Sequence, residues 1–92
     1  MKVIALYWRD SESEDEWQSD SHFDNHDLPE IITIGILQRE TTKYYIVSLN
    51  RDMKNKNVSC TIIIPKFAVH DVQQLGEIND KGRFTKTKNR RS

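Results

Sequence analysis

Apolar and polar residues alternate with a period of two along much of this chain, and four stretches carry the pattern. "KVIALYW" (2–8) is dense in β-branched and aromatic residues. "EIITIGILQ" (30–38) follows Pro29 and contains Gly35. "KYYIVSLN" (43–50) sets Tyr45, Val47 and Leu49 on one face. "NVSCTIII" (57–64) sets Val58, Cys60, Ile62 and Ile64 on one face and Ser59, Thr61 and Ile63 on the other. Alternation of this kind with β-branched enrichment predicts strands. The fragment "FAVHDVQQL" (67–75) fits either spacing. Val69, Val72 and Leu75 suit a helical turn, whereas Phe67, Val69 and Asp71 suit a short last strand, which we favour.

The connections sharpen the picture. "RETT" is hairpin-length, and "RDMKNKN" is a polar, asparagine-rich tip. Residues 10–29 form one long insertion, too polar to pack except at Trp17, Phe23 and Leu28. Residues 79–92 lack apolar periodicity apart from Phe84 and read as a mobile basic tail. The chain is therefore expected to hold one domain over residues 1–78, with an acidic loop at 10–29 and the tail behind it. Five short antiparallel strands are too few for a sandwich of two large sheets. They suit an all-β fold, a small five-stranded SH3-like or Sm-like barrel, in which closure limits exposed edges. Gly35 stands mid-strand, where a glycine marks a bend or bulge.

Composition adds bounds. A chain of 92 residues buries roughly 60–65% of its unfolded surface, enough for one small core. It is 36% apolar and 30% charged, and no apolar run approaches a membrane span. A single cysteine, Cys60, and no signal-peptide pattern predict a protein of a reducing cytoplasm. The net charge of zero conceals two opposed halves. Residues 1–30 carry nine acids against two bases, and residues 31–92 carry twelve bases against five acids. Such blocks are either interaction surfaces or solvated segments that keep the chain soluble.

With the strands placed, "YWRD…W…LPEIITIGIL…YYIVSL…IIIPKFAVHDVQQL" resembles a class of small uncharacterised phage and prophage proteins. The likeness runs over residues 3–75 and rests on Trp8, Asp10, Trp17, Gly35, Leu37, Ile64, Pro65 and Lys66 in that order. It implies a phage accessory protein of the host cytoplasm and no activity. The C-terminal half is also similar to the Sm/Hfq-like family of RNA-binding proteins. "KFAV" (66–69) corresponds to that family's lysine-histidine turn, and "GIL…YYIV" to its glycine and aromatic strand motifs. The resemblance implies a ring of subunits that contacts RNA through this turn. Phe67 replaces the family's histidine and Pro65 its tyrosine.

Two surfaces carry candidate chemistry. Lys66 beside Phe67, with Tyr44, Lys43 and Arg39 across the hairpin, forms a set of cations and aromatics able to hold phosphates and stack bases. The plain structural alternative is that Pro65 ends a strand, Lys66 faces solvent and Phe67 fills the barrel end. Trp17, Asp15, Glu16 and Phe23 form the second set, aromatic anchors among acids, suited to a basic partner protein. His22 and His26 lie four apart but have no third ligand cluster, so neither metal nor other cofactor is expected. With three glycines, no phosphate cradle and Cys60 inside a strand, no catalytic constellation is present. The sequence thus favours a non-enzymatic phage protein that binds a host protein, such as a defence or regulatory factor. The alternative is an Sm-like binder of RNA, DNA or nucleotide acting as a homo-oligomer. No membrane partner is expected.

Overall fold

The computed structural model describes residues 1–10 and 29–88. They form one antiparallel sheet of six strands. These are β1 (Lys2–Arg9), β2 (Glu30–Glu40), β3 (Tyr44–Arg51), β4 (Val58–Pro65), β5 (Val69–Ile78) and β6 (Phe84–Lys86), in the spatial order β4-β3-β2-β1-β5-β6. A three-residue 3-10 turn, Lys66–Ala68, joins β4 to β5. The sheet is open, with β4 and β6 at its edges. No helix is long and apolar enough to cross a membrane among the described residues.

β1 lies inside the sheet. It pairs with β2 from Val3↔Ile36 to Arg9↔Glu30 and with β5 from Lys2↔Glu77 to Trp8↔Val69. Its even-numbered residues build the core. Ile4 and Leu6 join Val47 of β3 and Ile64 of β4 in one buried cluster, with Trp8, Leu37, Tyr45 and Val69 packed around it. The Trp8 indole N–H donates to Thr33 Oγ1 at 3.0 Å, which satisfies the one polar group of a half-buried ring. Gly35 supplies the close approach that brings β2 and β3 together. A Cβ there would lie 2.5 Å from Val47 Cγ1 and 2.7 Å from the Ser48 carbonyl oxygen. Two register shifts in the β1–β5 ladder, at Val3/Ile4 and Tyr7/Trp8, and one between Leu37 and Arg39 add the local bends of β-bulges. On the other face, Ile32 and Ile34 pair with Tyr7 and Ala5 and remain exposed.

Three expectations are corrected. The sheet has six strands, because Phe84–Lys86 pairs with Gly76–Ile78 inside the segment expected to be a tail. The tight turn explains it. Asn79 Oδ1 accepts from the Lys81 and Arg83 amides at 3.0 Å, Gly82 takes φ +76°, and the Phe84 ring lies over the bare Cα of Gly76. "NDKG" is a hairpin signature, a polar turn ending in a left-handed glycine. The segment read as a short strand over 67–75 is a 3-10 turn followed by a ten-residue strand. Cys60 is exposed rather than inward. The β3–β4 register omits the Leu49–Cys60 step, and Cys60 takes φ +54° there. The alternation of both strands breaks at that step, which also leaves Leu49 outside.

The β3–β4 loop is held by Asp52. Its carboxylate accepts from the Lys54 and Asn55 amides and from the Asn55 side chain. These hydrogen bonds favour the charged form and hold its pKa below the ordinary carboxylate value. A depressed folded-state pKa gives stability that is present above the unfolded value and lost as pH falls through the folded one. Wild-type protein should therefore lose stability below about pH 4, and Asp52→Asn should lose less over that range in urea titrations. Equal pH slopes would show that the carboxylate does not hold the loop. Gly35→Val should lower the unfolding free energy by about 2 kcal/mol, because the added methyls meet Val47 and backbone.

Candidate functional site

The corner between β4 and β5 rests on local chemistry. Pro65 ends β4 with φ −67° and has no N–H to continue the ladder. The next amide, Lys66 N–H, donates to the Lys43 carbonyl at 2.8 Å, and the Val69 amide closes the 3-10 turn on the Lys66 carbonyl. The β2–β3 hairpin meets it from the other side. Its Thr41 amide donates to the Tyr44 carbonyl at 2.9 Å. Thr41 Oγ1 accepts from the Lys43 and Tyr44 amides at 3.2 and 2.9 Å. Register places Tyr44 opposite Pro65, so the two turns stand side by side.

Between them lies a cleft of about 350 Å³ lined by Thr42, Lys43, Tyr44, Pro65, Lys66 and Phe67. Phe67 is 89% exposed and Tyr44 44% exposed. Phe67 therefore does not fill the end of the core. Tyr45, the neighbour that faces inward, packs against the core cluster. The lysines differ. Lys66 Nζ lies 2.7 Å from Glu40 Oε2 and 5.1 Å from the centre of the Tyr45 ring, so its ammonium is already held by a carboxylate and an aromatic face. Lys43 is exposed and makes no ion pair among the described residues. The cleft thus offers two aromatic surfaces, one held cation and one more loosely placed cation.

Of the residues singled out in the sequence, Lys43, Tyr44 and Lys66 meet in this cleft. Arg39 stands on β2 opposite Ile46, exposed but not part of the lining. Trp17, Asp15, Glu16 and Phe23, with His22 and His26, lie outside the described residues. Sequence reading did not find Glu40. Its pairing with Lys66 arises because β2, β3 and β4 align Glu40, Tyr45 and Ile64 in one row, and no local pattern announces that row. Among the described residues no group of three metal-ligating side chains gathers. His70 lies 3.9 Å from Glu30 at the surface, and Cys60 is a free exposed thiol.

A pair as exposed as Lys66–Glu40 contributes little to stability, so Glu40→Gln should change the unfolding free energy by less than about 1 kcal/mol. Its effect should appear instead in reactivity. Lys66 should label faster with an amine-directed reagent in Glu40→Gln than in wild type, and equal rates would show that the carboxylate does not hold the ammonium. No family model matches the chain, and neither a curated protein nor a solved structure is similar enough to count as a match.

Proposed function

We propose that the protein is a non-enzymatic binding domain whose cleft takes single-stranded nucleic acid. The observation that carries this reading is Phe67, a large apolar ring left 89% exposed on a hydrogen-bonded corner beside Tyr44 and two lysines. A ring in that setting is a platform for a base, since every base offers a π-face and stacking contributes about 1–3 kcal/mol per base. Lys43 reaches a phosphate from the rim. Lys66 supplies a second positive charge whose position Glu40 and Tyr45 have already set. The excess of bases in residues 31–92 strengthens the attraction of an anionic chain, including Lys81, Arg83, Lys86 and Lys88 around β6.

The same evidence supports the finer reading of the fold as an SH3-like or Sm-like barrel. Residues of β1 and β4 share one buried cluster although two strands separate them in the sheet, which favours a sheet curled over its own core. The Lys66–Ala68 turn follows β4, as the family's lysine-histidine turn follows its penultimate strand, although here a further strand, β6, comes after β5. The partner-protein reading depends on Trp17, Asp15, Glu16 and Phe23, and no described residue adds support to it.

The test is fluorescence anisotropy of the full chain with labelled oligo(U) and oligo(dT) at low and moderate salt. Affinity should fall as salt rises, with each lysine–phosphate contact contributing about 0.7 to the slope of log K against log salt. Phe67→Ala should weaken binding about tenfold or more at constant salt slope. Lys43→Ala should instead flatten the slope. Absence of binding at low salt would sink the proposal. So would a Phe67→Ala protein that binds as wild type does, because the basic C-terminal segment alone would then be responsible.

A further inference from the structure

A second cavity, of about 390 Å³, opens at the far end of β3 from the cleft, between the β3–β4 loop and the β5–β6 turn. Both walls are fixed by side chains that bond their own backbone. Asp52 ties down Lys54 and Asn55, and Asn79 ties down Lys81 and Arg83. Met53 leans across, and a Cβ on Gly82 would sit 3.3 Å from its Cγ, so a left-handed glycine lets the two walls meet. Met1, Met53 and Ile78 give the cavity an apolar side, and Arg51, Lys56 and Asp80 give it a charged one.

Arg51 is the unusual member. Among the described residues its side chain makes one hydrogen bond, from Nη1 to the neutral Gln38 Oε1 at 2.6 Å, and Gln38 is itself held by Ser48 Oγ at 2.9 Å. Its Nε is buried with no hydrogen-bond partner. Among the described residues no carboxylate lies within salt-bridge distance. The acid next in sequence, Asp52, is committed to its own turn. A half-buried guanidinium is stabilised by an anion that meets its fork of donors, and the described residues supply none.

We propose that this cavity binds a small monocarboxylate with an apolar tail. The carboxylate meets the free Nη2 side of Arg51 and the Lys56 ammonium, and the tail lies on Met1, Met53 and Ile78. The Met1 ammonium at the cavity wall is held by the Ile78 carbonyl and Glu77. Charge alone would favour a dianion, because attraction and repulsion scale together, so the preference over phosphate comes from the tail, and Asp80 only weakens the attraction of any anion. This site shares no residue with the nucleic-acid cleft, so either assignment can fail without the other.

The test is a titration of full-length isotope-labelled protein, at constant ionic strength, with hexanoate, acetate and inorganic phosphate, followed by NMR. Hexanoate should give saturable shifts at the Arg51 side chain, Met53 and Ile78 with a dissociation constant on the order of 1 mM. Acetate should bind several-fold more weakly for want of the tail, and phosphate more weakly than hexanoate. Lys56→Met should weaken hexanoate about tenfold, the size of one charge-assisted hydrogen bond, and Asp80→Asn should tighten it. Both substitutions are at exposed positions in loops, so the fold is retained if Arg51→Gln proves unstable. Non-saturating shifts, a preference for phosphate, or hexanoate binding indifferent to both Lys56→Met and Asp80→Asn would each overturn the proposal.

Discussion

The structure depends on Leu6, Val47 and Ile64 meeting. They come from β1, β3 and β4, and all three are fully buried in one cluster. A flat sheet would hold β1 and β4 about 14 Å apart, three strand spacings. The contact therefore requires a bent sheet, and two devices bend it. Gly35 removes the side chain that would part β2 from β3, and the bulges along β1 and β2 turn the strands without breaking them. With no α-helix among the described residues to cover it, such a sheet buries few of them completely. Ile32, Ile34, Leu49 and Ile63 stay outside.

The bend also places the corner between β4 and β5. Once β4 has carried Ile64 into the core, the chain must leave at Pro65 and return as β5 beside β1. The tight return exposes Phe67 and turns the Lys66 side chain back over Tyr45 toward Glu40. Architecture and the proposed binding are thus not alternatives at this corner. The proline and the held lysine make it rigid, and rigidity is what makes an exposed ring useful, since a ligand stacking on it orders little else.

Much of the fold was legible in the sequence because its main strands obey a period of two. The bounds of β1 to β4 fall within two residues of the alternating stretches. The cleft was partly legible too, since Lys43, Tyr44 and Lys66 were adjacent to turns marked by Thr-Thr and Pro. What escaped has physical reasons. β6 is three residues long and carries one apolar side chain, so it shows no periodicity, and only its turn announced it. The break at Leu49 and Cys60 leaves both residues exposed without any change in composition to announce it. Glu40 and Arg51 owe their roles to neighbours brought together across strands, and such pairs leave no mark on either segment alone.

The central place of β1 has a consequence for how the chain reaches this state. Its partners on one side begin at Glu30, but on the other side Lys2 must wait for Glu77 and Trp8 for Val69. Most of the sheet is therefore stitched by contacts distant in sequence, and such topologies fold slowly. On the ribosome β1 emerges before both of its partners and is among the last strands to be fully paired. Until β5 emerges, one edge of an apolar strand, with Ile4 and Leu6 on it, stays open to other chains, and the nascent protein is at its most aggregation-prone.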